Sequence, residues 1–213
     1  MKNCISLKIA SLLTLSIVFT SCTPKETQDL LKPTQALGKV LADETAQIAG
    51  TKKRVVIITP DASWGGTSSA EKSFATALKK RGFTVVDTKA VNVGDPMKSG
   101  QVGLKMVDVL EALQKFPDVG AIVSFAGAPL VNLTDIANFP AEHPPLLVVA
   151  VATLGEVPGV ATARTQLGQM LDAKIIQLAI IDGPESTGQK DGKPNPDREL
   201  FAQHYQTMRL PGQ

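Results

Sequence analysis

The residues best suited to bind a ligand lie in one short segment, Pro60-Asp61-Ala62-Ser63-Trp64-Gly65-Gly66-Thr67-Ser68. The paired glycines let the backbone approach a ligand closely, and the only tryptophan can stack on a ring. Amides at the start of the following helix can hold an anion. The segment lacks the G-x-x-x-x-G-K-[ST] spacing of a P-loop, so an ordinary surface loop before a capped helix is the alternative. The candidates here are Asp61, Ser63, Trp64, Gly65, Gly66 and Thr67.

Further candidates follow the other predicted strands, because ligands of open α/β sheets sit outside the carboxyl ends of the strands. Gly127, Thr153 and Asp182 occupy such positions. Carboxylates that converge at one sheet edge can do acid–base chemistry or bind a hard cation, although carboxylates in loops are more often solvated. The carboxylates in question are Asp61, Glu156, Asp182 and Glu185.

The sequence gives little support for other kinds of catalytic or metal-binding site. His143 and His204 are the only histidines, and two histidines without cysteine make a poor zinc set. No G-x-S-x-G elbow is present, so Ser124 is expected to end a strand. Arg164 can bind an anion, but a surface salt bridge is its ordinary use. We therefore predict no catalytic residue, no metal and no cofactor.

The first residues carry the pattern of a secretory signal. Lys2 and Lys8 precede a stretch (9–19) shorter than the roughly 20 apolar residues that a bilayer-spanning helix needs. The stretch ends in Phe19-Thr20-Ser21-Cys22, which resembles the lipobox of bacterial lipoproteins, although Phe19 stands where an aliphatic residue is usual. The resemblance implies removal of residues 1–21 and acylation of Cys22, which would anchor the chain to a bilayer. The alternative is a plain secretory signal with an incidental cysteine.

Composition limits what the mature chain can do. Cys4 lies inside the signal, so beyond Cys22 no thiol is available for a disulfide or a metal. The signal holds two of the 22 basic residues and none of the 20 acidic ones, which leaves 20 of each. A chain so balanced has little electrostatic reason to bind nucleic acid.

Strand and helix patterns alternate from Thr34 onward. The run Val55-Val56-Ile57-Ile58 is apolar throughout, which is typical of a strand buried on both faces, and four further strands are expected within 83–86, 119–125, 146–152 and 175–181. Ser68 and Glu71 have the spacing of a capping box at the start of one intervening helix. The pattern predicts a doubly wound α/β fold, with a mostly parallel five-stranded sheet and helices on both faces, in a three-layer Rossmann- or flavodoxin-like arrangement.

The chain therefore divides into four predicted segments. A signal peptide (1–21) precedes a lipidated tether (22–33), an α/β lobe (34–184) and an extended C-terminal tail (185–213). The tail is rich in glycine, proline and charge, and one short helix is expected near 198–208.

Four segments of the lobe resemble the C-terminal lobe of sugar-type periplasmic binding proteins in their order and spacing. They are Gln35-Ala36-Leu37-Gly38-Lys39-Val40-Leu41-Ala42, Phe74-Ala75-Thr76-Ala77-Leu78-Lys79-Lys80-Arg81-Gly82-Phe83, Phe116-Pro117-Asp118-Val119-Gly120-Ala121-Ile122 and Leu171-Asp172-Ala173-Lys174-Ile175-Ile176-Gln177-Leu178-Ala179-Ile180. The resemblance covers nearly all of 34–184 and implies the fold of one binding lobe.

Two departures from that family matter. The family has two lobes that close over a ligand, and this chain has room for one. The family's ligand-contacting positions fall near Ala70, on Ala126-Gly127 and near Thr153, and Asp182 alone keeps a charge. These replacements remove groups that would orient the hydroxyls of a sugar.

The sequence thus favours a non-enzymatic, membrane-tethered module that binds a small molecule or an envelope protein. One alternative is an enzyme of flavodoxin-like topology acting on a small anionic or nucleotide-like substrate. Another is a structural scaffold of the cell envelope. Thr23 after Cys22 is not the aspartate that retains many such lipoproteins at the inner membrane, which favours the outer membrane.

Overall fold

A computed structural model of the chain describes residues 25–61, 68–94, 103–151, 160–183 and 195–210. In these ranges strands and helices alternate as predicted. The helices are α1 (Lys25–Ala49), α2 (Ser69–Lys80), α3 (Met106–Lys115), α4 (Leu133–Ala137), α5 (Val160–Asp172) and α6 (Pro196–His204). The strands are β1 (Arg54–Pro60), β2 (Thr84–Val91), β3 (Leu104–Lys105), β4 (Ala121–Ser124), β5 (Pro129–Leu130), β6 (Leu146–Ala150), β7 (Leu178–Asp182) and β8 (Tyr205–Arg209).

The main sheet of the described residues has the strand order β2-β1-β4-β6-β7-β8. The first five strands run parallel, in the 2-1-3-4-5 order of flavodoxin-like sheets, and β8 is antiparallel to β7. The short strands β3 and β5 pair separately. The predicted α/β fold is confirmed, with six strands in the sheet where five were predicted.

The additional strand comes from the C-terminal segment. A helix was expected near 198–208, but α6 ends at His204 and the chain continues directly into β8. Tyr205 lies opposite Asp182 and Arg209 lies opposite Leu178. Pairing with β8 satisfies backbone groups that β7 would otherwise expose at the edge of the sheet.

Helices cover both faces of the sheet, as predicted. Alternate residues of β1 point to opposite faces, so Val55 and Ile57 join the core beneath α1, α2 and α6, while Val56 and Ile58 join the core beneath α3 and α5. The four side chains are at most 2 % exposed. Burial on both faces is the physical reason for the unbroken apolar run in this strand.

Helix α1 begins at Lys25, so residues 25–33 of the predicted tether are helical. Thr34 contacts Ser69 at the start of α2, and Asp43 pairs with Arg81 just after the end of α2. The two helices therefore run side by side in the same direction. They meet closely at Gly38, where a Cβ atom would lie 2.1 Å from the carbonyl oxygen of Ala70.

The C-terminal segment is also tied to α1 through a buried carboxylate. Glu44 is 2 % exposed, and its two oxygens accept hydrogen bonds from Arg198 at 2.6 Å and Arg209 at 2.7 Å. A buried carboxylate needs such partners to offset its loss of hydration. Within the described ranges, no helix has the length and apolar character needed to cross a bilayer.

Candidate functional site

The strand order reverses between β1 and β4, because the chain moves outward from β1 to β2 and then returns to β4 on the other side of β1. Ligands of open α/β sheets bind in a crevice at the carboxyl edge at such a point, which makes the edge between β1 and β4 the candidate crevice. Asp61 directly follows β1, and Gly127 follows β4. The fold therefore brings two of the predicted binding residues to neighbouring strand ends.

The end of β1 is held in place on its β2 side. The backbone amide of Asp61 donates a hydrogen bond to the carbonyl oxygen of Val91 at 2.9 Å. Thr59, Pro60 and Asp61 are all half-buried. The pairing of β1 with β2 therefore positions this side of the crevice as far as Asp61, the last described residue of the segment.

The end of β4 forms a tight turn. The amide of Phe125 donates to the carbonyl oxygen of Ile58 at 2.8 Å, and the buried hydroxyl of Ser124 donates to the carbonyl oxygen of Gly127 at 2.7 Å. Gly127 has φ +88°, a conformation that residues with a Cβ rarely adopt. Ser124 ends its strand as predicted, and its hydroxyl is used to shape the turn.

Glu71 lies beside this edge and was missed as a site residue. It was predicted only as half of a capping box with Ser68. The hydroxyl of Ser68 accepts the Glu71 amide at 3.1 Å, but the Glu71 carboxylate accepts a hydrogen bond from the Thr59 hydroxyl at 2.7 Å. Glu71 is 5 % exposed. Its position three residues before the buried Phe74 was the available signal, because that spacing places both side chains on one helix face.

Asp182 lies apart from this crevice. It ends β7, which is three inter-strand steps from β1, so its backbone is about 14 Å from that of Asp61. Groups that share a proton or a cation must lie near hydrogen-bonding distance, so these two aspartates do not form a joint carboxylate centre.

The surroundings of Asp182 involve Arg164 and the last strand. Its carbonyl oxygen accepts hydrogen bonds from Arg164 and Gln206, each at 3.3 Å. Burial raises the pKa of the Tyr205 hydroxyl, and the negative charge of Asp182 raises that pKa further. Arg164 thus contacts the backbone carbonyl of Asp182.

Several predicted residues cannot be placed in this geometry. Those outside the described residues are Cys22, Ser63, Trp64, Gly65, Gly66, Thr67, Thr153, Glu156 and Glu185.

A depression of about 980 Å³ opens at the opposite, amino edge of the sheet. It lies where α1 leads into β1, where α3 leads into β4 and where a proline-rich segment leads into β6. The sequence did not indicate it, because ligands of open α/β sheets are expected at the carboxyl ends of the strands. The proline cluster was the signal that could have indicated it. Its lining includes Leu110, Leu113, Pro117, Val119, His143 and Pro145.

His143 lines this depression, and both of its ring nitrogens contact backbone carbonyl oxygens. Its Nδ1 atom lies 2.8 Å from the carbonyl oxygen of Pro144, and its Nε2 atom lies 3.1 Å from that of Lys174. The ring also packs edge-on against Phe139. Across the described part of the chain, no three histidine, cysteine or acidic side chains are grouped so as to hold a metal ion.

Neither a protein-family model nor a curated protein sequence matches this chain. Solved structures show a likeness in fold. An arabinose-binding protein from Geobacillus stearothermophilus is 17 % identical with a TM-score of 0.48, over 70 % of this chain and 45 % of that protein. An ABC-transporter solute-binding protein from Burkholderia graminis, solved with D-arabinose, is 18 % identical with a TM-score of 0.46, over 70 % and 47 %.

A third solute-binding protein, from Agrobacterium vitis and bound with α-D-tagatopyranose, is 20 % identical with a TM-score of 0.46, over 70 % of this chain and 45 % of its own. The chain spans less than half the length of each of these proteins. At such identities the similarity to sugar-binding periplasmic proteins concerns the fold of one lobe.

Proposed function

We propose that this chain is an envelope lipoprotein, anchored through acylated Cys22, whose single lobe binds a small ligand or a protein partner without catalysing a reaction. The observation that carries the proposal is the reversal of strand order between β1 and β4. Open α/β sheets bind their ligands in the crevice at the carboxyl edge where the strand order reverses.

The side chains around the crevice suit binding. Phe125 and Ala126 after β4, Val149 in β6 and Val151 after it are apolar side chains that pack against the two cores and remain half-buried at this edge. A mostly apolar floor with a few polar groups is the usual composition of a small-molecule site. Such a floor provides affinity through desolvation, and the polar groups beside it provide orientation.

The polar groups at this edge favour one ligand chemistry. The Glu71 carboxylate, held by the Thr59 hydroxyl, brings negative charge next to the end of β1. A buried carboxylate accepts hydrogen bonds and repels anions. It therefore supports a ligand that donates hydrogen bonds, and it speaks against the anionic or nucleotide-like substrate of the alternative enzyme.

A thermal-shift screen of the mature chain against sugars, amino acids, amines and nucleotides tests the binding proposal. A ligand present at 100 times its dissociation constant adds about 2.7 kcal/mol, which raises the melting temperature by roughly 5–10 °C for a domain of this size. Glu71→Gln should reduce the shift, because it removes the charge with little change of shape. Gln114→Ala, at the amino-edge depression, is the matched control and should leave the shift intact.

Two results would count against small-ligand binding. One is the absence of any dose-dependent shift across the four compound classes. The other is a shift that Gln114→Ala abolishes and Glu71→Gln preserves, since it would move the site to the amino edge.

Membrane fractionation tests the anchor separately. Cys22→Ser removes the sulfur that would be acylated, so the protein should move from the membrane fraction to the soluble fraction, and labelling by a radioactive fatty acid should disappear. Retention of the variant on membranes would contradict lipidation. The outer membrane remains the expected location, and density separation of the two membranes measures it.

A further inference from the structure

The first turns of α1 extend beyond the start of α2 at the carboxyl edge. Thr34 marks the level at which α2 begins, since its Oγ1 atom lies 2.5 Å from Oγ of Ser69. The nine residues 25–33 precede that level. At 1.5 Å per residue they project about 14 Å past the start of α2.

The projecting turns expose two apolar side chains. Leu30 is 79 % exposed and Leu31 is 37 % exposed, whereas other leucines of α1, such as Leu37 and Leu41, are buried. Exposed leucines occur on many soluble proteins and alone prove nothing. These two are distinguished by their position, on the part of the chain nearest to Cys22.

The distance to the acylated cysteine is short. This step rests on the proposed lipid anchor. Cys22 stands three residues before Lys25 and eight residues before Leu30. Eight residues span roughly 12 Å as a helix and at most about 28 Å when extended. An acyl anchor at Cys22 therefore holds Leu30 within reach of the headgroup region, where exposed apolar side chains bury themselves about 5–10 Å deep.

We infer that Leu30 and Leu31 insert into the bilayer interface and that the carboxyl edge of the sheet faces the membrane. The candidate crevice between β1 and β4 is then membrane-proximal, and the depression at the amino edge faces away from the lipid. The direction of α1 sets this orientation, because the helix runs from the anchor past the carboxyl edge toward the amino edge.

Fluorescence quenching by lipid tests the orientation. The acylated full-length mature protein is bound to vesicles of phosphatidylethanolamine and phosphatidylglycerol with brominated acyl chains. Trp64→Phe removes the only native tryptophan, and Leu30→Trp then places a probe on the projecting turn. Leu110→Trp is the matched control, because Leu110 is 37 % exposed on α3 and lines the amino-edge depression.

The tryptophan at position 30 should lose about half of its emission or more on brominated vesicles relative to unbrominated ones, because it lies at the level of the acyl chains. The tryptophan at position 110 should be unchanged. Equal quenching at both positions, or stronger quenching at 110, overturns the orientation. So does an unquenched probe at 30, which is the result expected if a protein partner covers these leucines.

Sedimentation of the same vesicles separates the two proposals. Protein that sediments with the vesicles but shows no quenching at position 30 refutes the orientation and leaves the anchor standing. Protein that fails to sediment refutes the anchor, and the orientation that depends on it falls as well.

Discussion

Replacing Gly38 with alanine tests the close packing of α1 on α2. In an exposed helix the change would stabilise the protein by about 1 kcal/mol, because alanine has the higher helix propensity. At this position the new Cβ would lie 2.1 Å from the carbonyl oxygen of Ala70 and 2.8 Å from the amide nitrogen of Phe74. Both contacts are to backbone atoms, so no side-chain rotation can relieve them.

The cost follows from the distance that α1 must move. A carbon–oxygen contact of ordinary length requires α1 to retreat by about 1 Å, and a gap of that size forfeits up to half of the attraction between atoms that had been in contact. Leu37 and Leu41 on α1 are at most 2 % exposed and would lose such contacts. Overpacking of this kind costs about 1–3 kcal/mol, and backbone clash places Gly38→Ala at the upper end, so the net loss is about 2 kcal/mol.

Denaturation in urea of the mature chain measures this loss. Gly168→Ala on α5 is the matched control, because a Cβ added at Gly168 would meet no atom within 4 Å and the substitution should stabilise the chain by about 0.5–1 kcal/mol. The two changes are chemically identical and should have opposite signs. A Gly38→Ala chain that is as stable as Gly168→Ala would refute the inferred packing.

Two further predictions concern charged and ionisable groups. Glu44→Gln should lower the free energy of unfolding by about 2 kcal/mol, because the buried amide keeps one acceptor oxygen but loses the negative charge and turns an NH2 group toward the second arginine. Glu111→Gln at an exposed ion pair should cost under about 1 kcal/mol in the same denaturation assay, and equal costs would contradict the role given to burial. Tyr205 is the only tyrosine, so ultraviolet titration should show a pKa above 10.0 that Asp182→Asn lowers. Because the folded chain favours the neutral phenol, Tyr205 contributes to stability below about pH 10, and this contribution is lost as the pH rises through the raised pKa. An unshifted titration would contradict the raised pKa.

Much of the fold could be predicted from local pattern. The run from Val55 to Ile58 is apolar on both faces, and only a strand covered by helices on each side buries all four residues. Helical spacing on α2 likewise identified its buried face, on which Phe74 and Leu78 lie. Such features depend on the periodicity of a single element, so they can be recognised without knowledge of its neighbours.

The last strand could not be predicted in the same way. The residues Tyr205 to Arg209 are mostly polar and half-buried, so their own pattern does not distinguish a strand from the end of a helix. They form β8 because β7 offers an edge with unpaired backbone groups. That edge exists only after the other strands have assembled.

The same distinction between local pattern and tertiary contacts applies to the candidate site. By itself the sequence determined the five parallel strands of the sheet and the residues that follow them, and therefore that Asp61, Gly127 and Asp182 stand at the carboxyl edge. Only the tertiary structure decided that β1 neighbours β4 and lies three strands from β7, which separates Asp182 from the crevice, and that Glu71 turns inward to Thr59. The order of strands and the partner of a buried carboxylate are set by contacts between residues distant in the chain, and no local periodicity encodes them.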